Sequence, residues 1–251
     1  MASKTSRTFV VPCYMADSGY RFRATSFMDI AQDMALAGSE ELGFGYDMMN
    51  SVHTAWVLYR MYFKFQRPVM WRDSLKVNTW HKGLDGLVFL RDFEVLDAAG
   101  ERAIVGTSSW VVLDTEKRSV VRNDEMPSFI SPEAQCTEDA VAAPAPKVAI
   151  PSRLEKRLVR EHTVRYSDTD FNGHTNNVKY VVWAMDSIDQ DFVSSCPVSE
   201  VSVNFNREAR LGDVVEIFVA EDPDAAQGRT FYVEGVVGGL QSFVVKMVFQ
   251  A

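Results

Sequence analysis

The order of elements repeats once along this chain, and no other feature limits its folds as strongly. Residues 7–14 read as a strand, and residues 26–42 as a helix whose Ser26-x-x-Asp29 start suits a capping box. Strands follow over 54–65, 75–81, 87–96 and 102–113. In the first of these Val57, Tyr59, Met61, Phe63 and Phe65 alternate onto one apolar face. The second half runs the same way, with a strand over 161–166, a helix over 177–188, and strands over 201–206, 214–220, 230–237 and 242–249. Val178, Val181, Val182 and Met185 fall at i, i+3, i+4 and i+7, and Trp183 widens the apolar stripe, which predicts a buried helix. A strand, a helix and four strands, met twice at a spacing of about 140–150 residues, is an internal duplication.

Prolines mark the seam between the copies: Pro127, Pro132, Pro144, Pro146 and Pro151. Among them lies Ala140-Val-Ala-Ala-Pro-Ala-Pro, the composition of a semi-extended linker. The expected division is a first half over 1–122, a linker over 123–157 and a second half over 158–251. A long buried helix on an antiparallel sheet in each half is an α+β arrangement, the double hotdog.

Composition narrows the function. With 251 residues, 47% of them hydrophobic, the chain can bury a substantial core. A net charge of -8 provides no overall positive field, so no nucleic-acid partner is expected. No apolar run approaches the roughly 20 residues that span a bilayer, so no membrane insertion is expected. Cys13, Cys136 and Cys196 are odd in number, far apart and outside any C-x-x-C, which fits a reducing cytoplasm better than a disulfide framework. Neither a P-loop nor G-x-G-x-x-G occurs, and no metal-binding spacing links His53, His81 and His162. Gly106-Thr-Ser-Ser-Trp is not a serine-hydrolase elbow. The expectation is chemistry without cofactor, metal or nucleophilic serine.

The segment from Asp168 to Val178 concentrates the chemistry. Asp170, Asn172 and His174 stand at alternate positions, so on an extended backbone they share one face, next to the start of a helix. The halves can be aligned by Phe65-Gln66-Arg67 against Phe205-Asn206-Arg207 and by Thr25 against Thr175. In that register Tyr20, Phe22 and Ala24 lie opposite the three polar residues, and Pro68 lies opposite Glu208. A fold whose first copy dispenses with the polar set does not need it for stability, which points to work done in the second copy.

The run Asp-x-Asn-x-His-x-Asn-Asn-Val-x-Tyr, from Asp170 to Tyr180 and on to Trp183, resembles the signature of the acyl-acyl carrier protein thioesterases of plants and bacteria. Asn206-Arg207-Glu208 resembles their second catalytic segment. The resemblance covers both halves. It implies hydrolysis of fatty acyl chains from acyl carrier protein, with release of free fatty acid. It also implies a first half that shapes the acyl pocket, and catalysis by Asp170, Asn172, His174 and Glu208. Ala209 stands where many family members have a cysteine, so no thiolate can act there. A carboxylate route remains, with Asp170 and Glu208 sharing the activation of water, or one of them attacking directly. His174 would orient or transfer a proton, Asn172 would position water or thioester, and backbone N–H groups near 176–178 would stabilise the oxyanion. Acyl carrier protein is acidic, and Arg153, Lys156, Arg157 and Arg160, or Lys64, Arg67 and Arg72, are the basic runs that could receive it. Three other readings stay open: a hotdog acyl-coenzyme A thioesterase, which Tyr166-x-Asp-Thr-Asp also suits, a non-catalytic acyl-binding protein, and a hotdog dehydratase, whose usual histidine–carboxylate layout is not apparent here. One such chain already holds the equivalent of a dimer, and a homodimer is compatible with the fold.

Overall fold

Alternating apolar residues carry eleven strands into one antiparallel sheet in the computed structural model, which describes residues 4–226 and 228–250. The first half contributes β1 (Thr5–Val10), β2 (Thr54–Phe65), β3 (Ser74–Asp85), β4 (Val88–Leu96), β5 (Arg102–Asp114) and the short β6 (Ser119–Val120). The second contributes β7 (Arg157–Thr163), β8 (Val198–Phe205), β9 (Val214–Asp222), β10 (Arg229–Val237) and β11 (Leu240–Phe249). Their order is β1-β3-β4-β5-β2-β8-β11-β10-β9-β7, with β6 on β5, so the halves mirror one another about the β2–β8 seam. That seam runs from Arg60 opposite Asn204 to Lys64 opposite Glu200 and makes the sheet continuous.

Helices α1 (Ala24–Glu41) and α2 (Tyr46–Ser51) belong to the first half, α3 (Asn177–Met185) and α4 (Gln190–Ser195) to the second. The apolar face of α1, with Phe27, Met28, Ala31 and Met34, shares one core cluster with Phe63, Val77 and Phe93 of the sheet. Val178, Val181 and Trp183 of α3 join Val203 and Phe243 in the same cluster, which runs through both halves. Burying a side chain of this kind contributes roughly 1.5–3 kcal/mol. A glycine makes room for a core ring in each half: a Cβ on Gly106 would lie 2.0 Å from Phe63, and one on Gly235 would lie 2.0 Å from Phe243.

Several element ends differ from the sequence expectation. Helix α1 begins at Ala24 with Arg23 as an N-cap whose side chain makes no capping bond to the helix, so the Ser26–Asp29 capping box does not form. The first strand stops at Val10, because Pro12 precedes a single 3-10 turn over Cys13–Met15. The third helix ends at Met185 rather than at 188. A separate α4 then starts under Asp189, whose side chain accepts from the Phe192 N–H at 2.8 Å. Segment 123–156 has a linker's composition but lies against the sheet as a strap. Asp92 Oδ2 accepts from the N–H groups of Ala140 and Val141 (2.8 and 3.1 Å). Asn204 bonds both the N–H and the C=O of Val148 (3.1 and 2.7 Å). Among the described residues, no helix is long and apolar enough to cross a membrane.

Candidate active site

The loops that lead into α1 and α3 are built alike. In the second, Asn172 N–H donates to Asp170 Oδ1 (2.9 Å) and Asp170 N–H to His174 O (2.9 Å). In the first, Gly19 N–H donates to Asp17 Oδ1 (2.8 Å) and Asp17 N–H to Arg21 O (2.8 Å). Tyr20 and Gly173 occupy the same left-handed corner, with φ of 63° and 73°. The bridges Ala16–Phe22 and Thr169–Thr175 close the two loops at the same place. The counterparts of Asp170, Asn172 and His174 are therefore Asp17, Gly19 and Arg21, not Tyr20, Phe22 and Ala24. The sequence register slipped because α1 has 18 residues and α3 only 9, so no single period carries across the helices. Pro68 does lie opposite Glu208: Phe22 N–H donates to Val69 O (2.8 Å), as Thr175 N–H does to Ala209 O (3.2 Å).

Asp170 thus has a structural duty on one oxygen, which its counterpart shares, since an aspartate accepting from the N–H two residues on closes the turn. The second oxygen differs. Asp17 Oδ2 is taken by Arg21 Nε at 2.9 Å. Asp170 makes no ion pair among the described residues, and an imidazole stands in place of the guanidinium.

Glu208 meets this loop directly. Its Oε2 lies 3.3 Å from His174 Nε2. Its Oε1 accepts from Arg118 (2.9 Å) and from both Nε (3.1 Å) and Nη2 of Arg210. Burial raises the carboxyl, but Arg210, His174 and Arg118 outweigh it and hold Glu208 below the usual carboxylate range. Ala209 is fully buried, and its N–H donates to the Tyr180 hydroxyl at 2.9 Å, so the position after Glu208 belongs to the core.

The start of α3 is partly spent. Asn176 caps it, accepting from Val178 N–H at 2.8 Å, while its own N–H goes to Asp168 O. Between them the Asn177 N–H has no partner among the described residues, at the positive end of the helix. Asp168, at the head of this segment, is a buried clamp: its carboxylate holds the Arg165 N–H (2.8 Å) and His162 Nε2 (2.9 Å).

These groups edge a cavity of about 1000 Å³. Asp170, Asn172, His174, Asn177 and Glu208 line it from the second half, and Leu36, Met49, Trp56, Phe89 and Trp110 from the first. Tyr46 of α2 meets Phe171 edge-on, with ring centroids 5.5 Å apart. The mirror-related place, around Asp17, Arg21 and Pro68, holds a hollow of only about 290 Å³. There Arg21 ties itself to the C=O groups of Ser194 (2.5 Å) and Ser195 (3.2 Å). The interior of the second half is packed with the rings of Trp183, Phe192, Phe231, Phe243 and Phe249.

All four residues singled out in the sequence line the one cavity, and His174 and Glu208 touch. Sequence reasoning missed Arg118, 90 residues from Glu208 and on the β5–β6 turn at a φ of 53°. Arg210 had a signal, since it stands two residues after Glu208. The basic runs are mostly engaged elsewhere. Arg153 pairs with Asp222 (2.6 Å), Lys156 with Glu234, Arg160 with Asp186 (3.8 Å), Lys64 with Glu200 (3.4 Å) and Arg67 with Asp97. Arg207, by contrast, lines the cavity, is exposed, and has no acidic partner within ion-pair distance among the described residues.

A double hotdog with one carboxylate–imidazole cluster at an apolar cavity is the class that this fold and site define. Within it the chain belongs to the acyl-ACP thioesterase family, whose N-terminal domain model matches residues 2–128 and whose C-terminal domain model matches residues 151–243. It is 25% identical to oleoyl-acyl carrier protein thioesterase 2, chloroplastic, of Arabidopsis thaliana, over 86% of this chain and 63% of that protein. It is 28% identical to acyl-[acyl-carrier-protein] hydrolase FATB3, chloroplastic, of Cuphea viscosissima, over 82% of this chain and 52% of the relative. The chain thus spans about six tenths, or less, of the length of these relatives. In fold it is similar to an acyl-ACP thioesterase from Bacteroides thetaiotaomicron VPI-5482, with a TM-score of 0.83 at 21% identity over 98% of both chains. The 12:0-ACP thioesterase from Umbellularia californica gives a TM-score of 0.79 at 20% identity, over 98% of this chain and 97% of that one.

Proposed function

We propose that this chain hydrolyses the thioester of fatty acyl–acyl carrier protein and releases free fatty acid, with Asp170, Asn172, His174 and Glu208 as its catalytic set. The observation that carries the reading is the His174–Glu208 contact at the edge of an apolar cavity, beside an aspartate with one oxygen uncommitted. Family membership and the names of the relatives support the choice of substrate.

The charges around Glu208 divide the labour. A carboxylate held low by two arginines is a weak base toward water. Its stronger action is to hold the imidazole in place, as the carboxylate does in other hydrolytic triads. Asp170 is then the group that takes a proton from the attacking water. The hydroxide adds to the thioester carbon, and Asn177 N–H stabilises the oxyanion. Asn172 positions the water. The C–S bond breaks as the thiolate takes a proton from His174, and the proton on Asp170 passes to His174 to restore the site.

Docking of an acidic carrier is assigned to Arg207 at the cavity edge, where a phosphopantetheine arm would enter, since Arg118 and Arg210 beside it are already paired with Glu208. The first half supplies the acyl pocket. Both halves come from one chain, so the site needs no second copy, and the three free cysteines suit a reducing cytoplasm.

The test is thiol release from one acyl chain on two carriers. The reading expects kcat/KM at least about tenfold higher on acyl carrier protein than on coenzyme A, with Arg207→Glu eroding only the former, as rim charges act on association. Equal rates on both would favour the acyl-coenzyme A reading, and no release from either would favour acyl binding without catalysis.

A further inference from the structure

We propose that the inner wall of the cavity recognises a hydroxyl group on the acyl chain, through His81 and Arg91. This rests on the acyl-hydrolase reading above and names a substrate class for it. The two residues are directly opposite one another on β3 and β4, so their side chains leave the same face of the sheet. Both line the cavity, at 4% and 6% exposure, on a wall otherwise made of Phe89, Trp110 and Leu58.

Neither is fully satisfied by the protein, although the backbone of Ser131 and of Leu90 acts on the His81 ring. His81 Nε2 has no hydrogen-bond partner among the described residues. Arg91 makes one long side-chain bond, from Nη1 to Thr79 Oγ1 at 3.4 Å, and forms no ion pair among the described residues. The charge of Glu41 acts on it from beyond ion-pair distance, while Glu41 Oε2 accepts from Thr5 Oγ1 at 2.5 Å. Burying an unpaired cation and a half-paired imidazole in an apolar wall is costly, and such groups facing a cavity are candidates for ligand chemistry. The fold even makes room for the cation. Gly38 sits within α1, where a glycine costs about 1 kcal/mol relative to alanine, and a Cβ there would lie 2.6 Å from Arg91 Nη1.

The chemistry selects the ligand. Burial and the neighbouring Arg91 push His81 down to about 4 against the backbone of Ser131 and Leu90, so its ring is neutral at pH 7 and Nε2 is the nitrogen left for a ligand. Arg91 only donates. A hydroxyl accepts from Arg91 and donates to, or accepts from, the imidazole in either tautomer. A plain methylene chain leaves both groups unpaired, and sites built for a hydroxyl discriminate strongly against its absence.

The experiment uses the full chain and acyl carrier protein loaded with one saturated chain, either plain or bearing a single hydroxyl moved along it. The expected result is one position at which the hydroxylated chain exceeds the plain one at least tenfold in kcat/KM. His81→Phe and Arg91→Met should each bring that ratio to one or below, while melting temperatures report on folding. A plain chain equal or better at every position, with the wild type active, overturns the proposal and leaves ordered water as the partner of the pair. If neither substrate is cleaved, the hydrolase reading fails. Calorimetry of the free hydroxy acid against the plain acid then decides the binding claim alone: tighter binding that is lost in His81→Phe supports it, and equal binding ends it.

Discussion

The loops before α1 and α3 share a backbone and differ in a few side chains, and those few separate a structural turn from a candidate active site. Both put an aspartate oxygen on the N–H two residues on. In the first loop Arg21 neutralises the other oxygen, and Pro68 stands on the facing segment. In the second, His174 replaces the arginine, Asn172 the glycine and Glu208 the proline, so the same geometry holds an ionised acid against an imidazole. Duplication supplied a stable turn, and a handful of substitutions on its exposed side altered its chemistry at little cost to the fold. The interiors diverged in the opposite sense, rings filling the second half while the first kept a cavity.

The comparison can be broken most severely at Glu208 and His174. Glu208→Gln and His174→Ala are each expected to lower kcat at least about 100-fold while the fold survives, as for groups that act in the transition state. Steady-state thiol release with purified variants checks this. Their supposed counterparts, Pro68→Ala and Arg21→Met, should leave kcat within about twofold, the scatter of uninvolved positions.

A smaller effect is expected of pH. Arg210, His174 and Arg118 hold the Glu208 carboxyl low, so Arg118→Met must raise it and move the acid limb of the kcat/KM profile to higher pH. The sign for stability follows from the same depression. Ionised Glu208 adds stability at pH above its unfolded value, and that contribution is lost as pH falls through the folded one. Arg118→Met should therefore flatten the acid side of the melting-temperature profile.

The smallest effects concern the turns themselves. Asn176→Ala removes the α3 cap and should cost about 1 kcal/mol in denaturant unfolding, with a modest loss of rate because the Asn177 N–H moves with the helix end.

What could be read from the sequence divides along physical lines. Alternation announced β2, with Met61, Phe63 and Phe65 buried on one face, but a register shift between Leu58 and Arg60 buries Leu58 and leaves Val57, read onto the same face, exposed. The helix start at Asn177 was legible because an asparagine precedes an apolar stripe. The cluster of Asp170, Asn172, His174 and Glu208 came from motif resemblance, while its internal register came out three residues wrong, since two helices of unequal length separate the anchors of the alignment. Helix α2 has six residues, too few to show a period. The Arg118–Glu208 pair left no trace, because nothing local ties a turn residue to a carboxylate 90 positions on. The strap was misread as a free linker because its anchors, Asp92 and Asn204, lie in strands far from it in sequence.

The most direct test compares Asp170→Asn with Asp17→Asn, since asparagine keeps the turn bond in both loops and removes only the charge. Thiol release from acyl carrier protein should fall at least about 100-fold for Asp170→Asn and stay within about twofold for Asp17→Asn, with similar melting temperatures. Equal losses in the two variants, or near-normal turnover by Asp170→Asn, would contradict the assignment of the chemistry to the second loop.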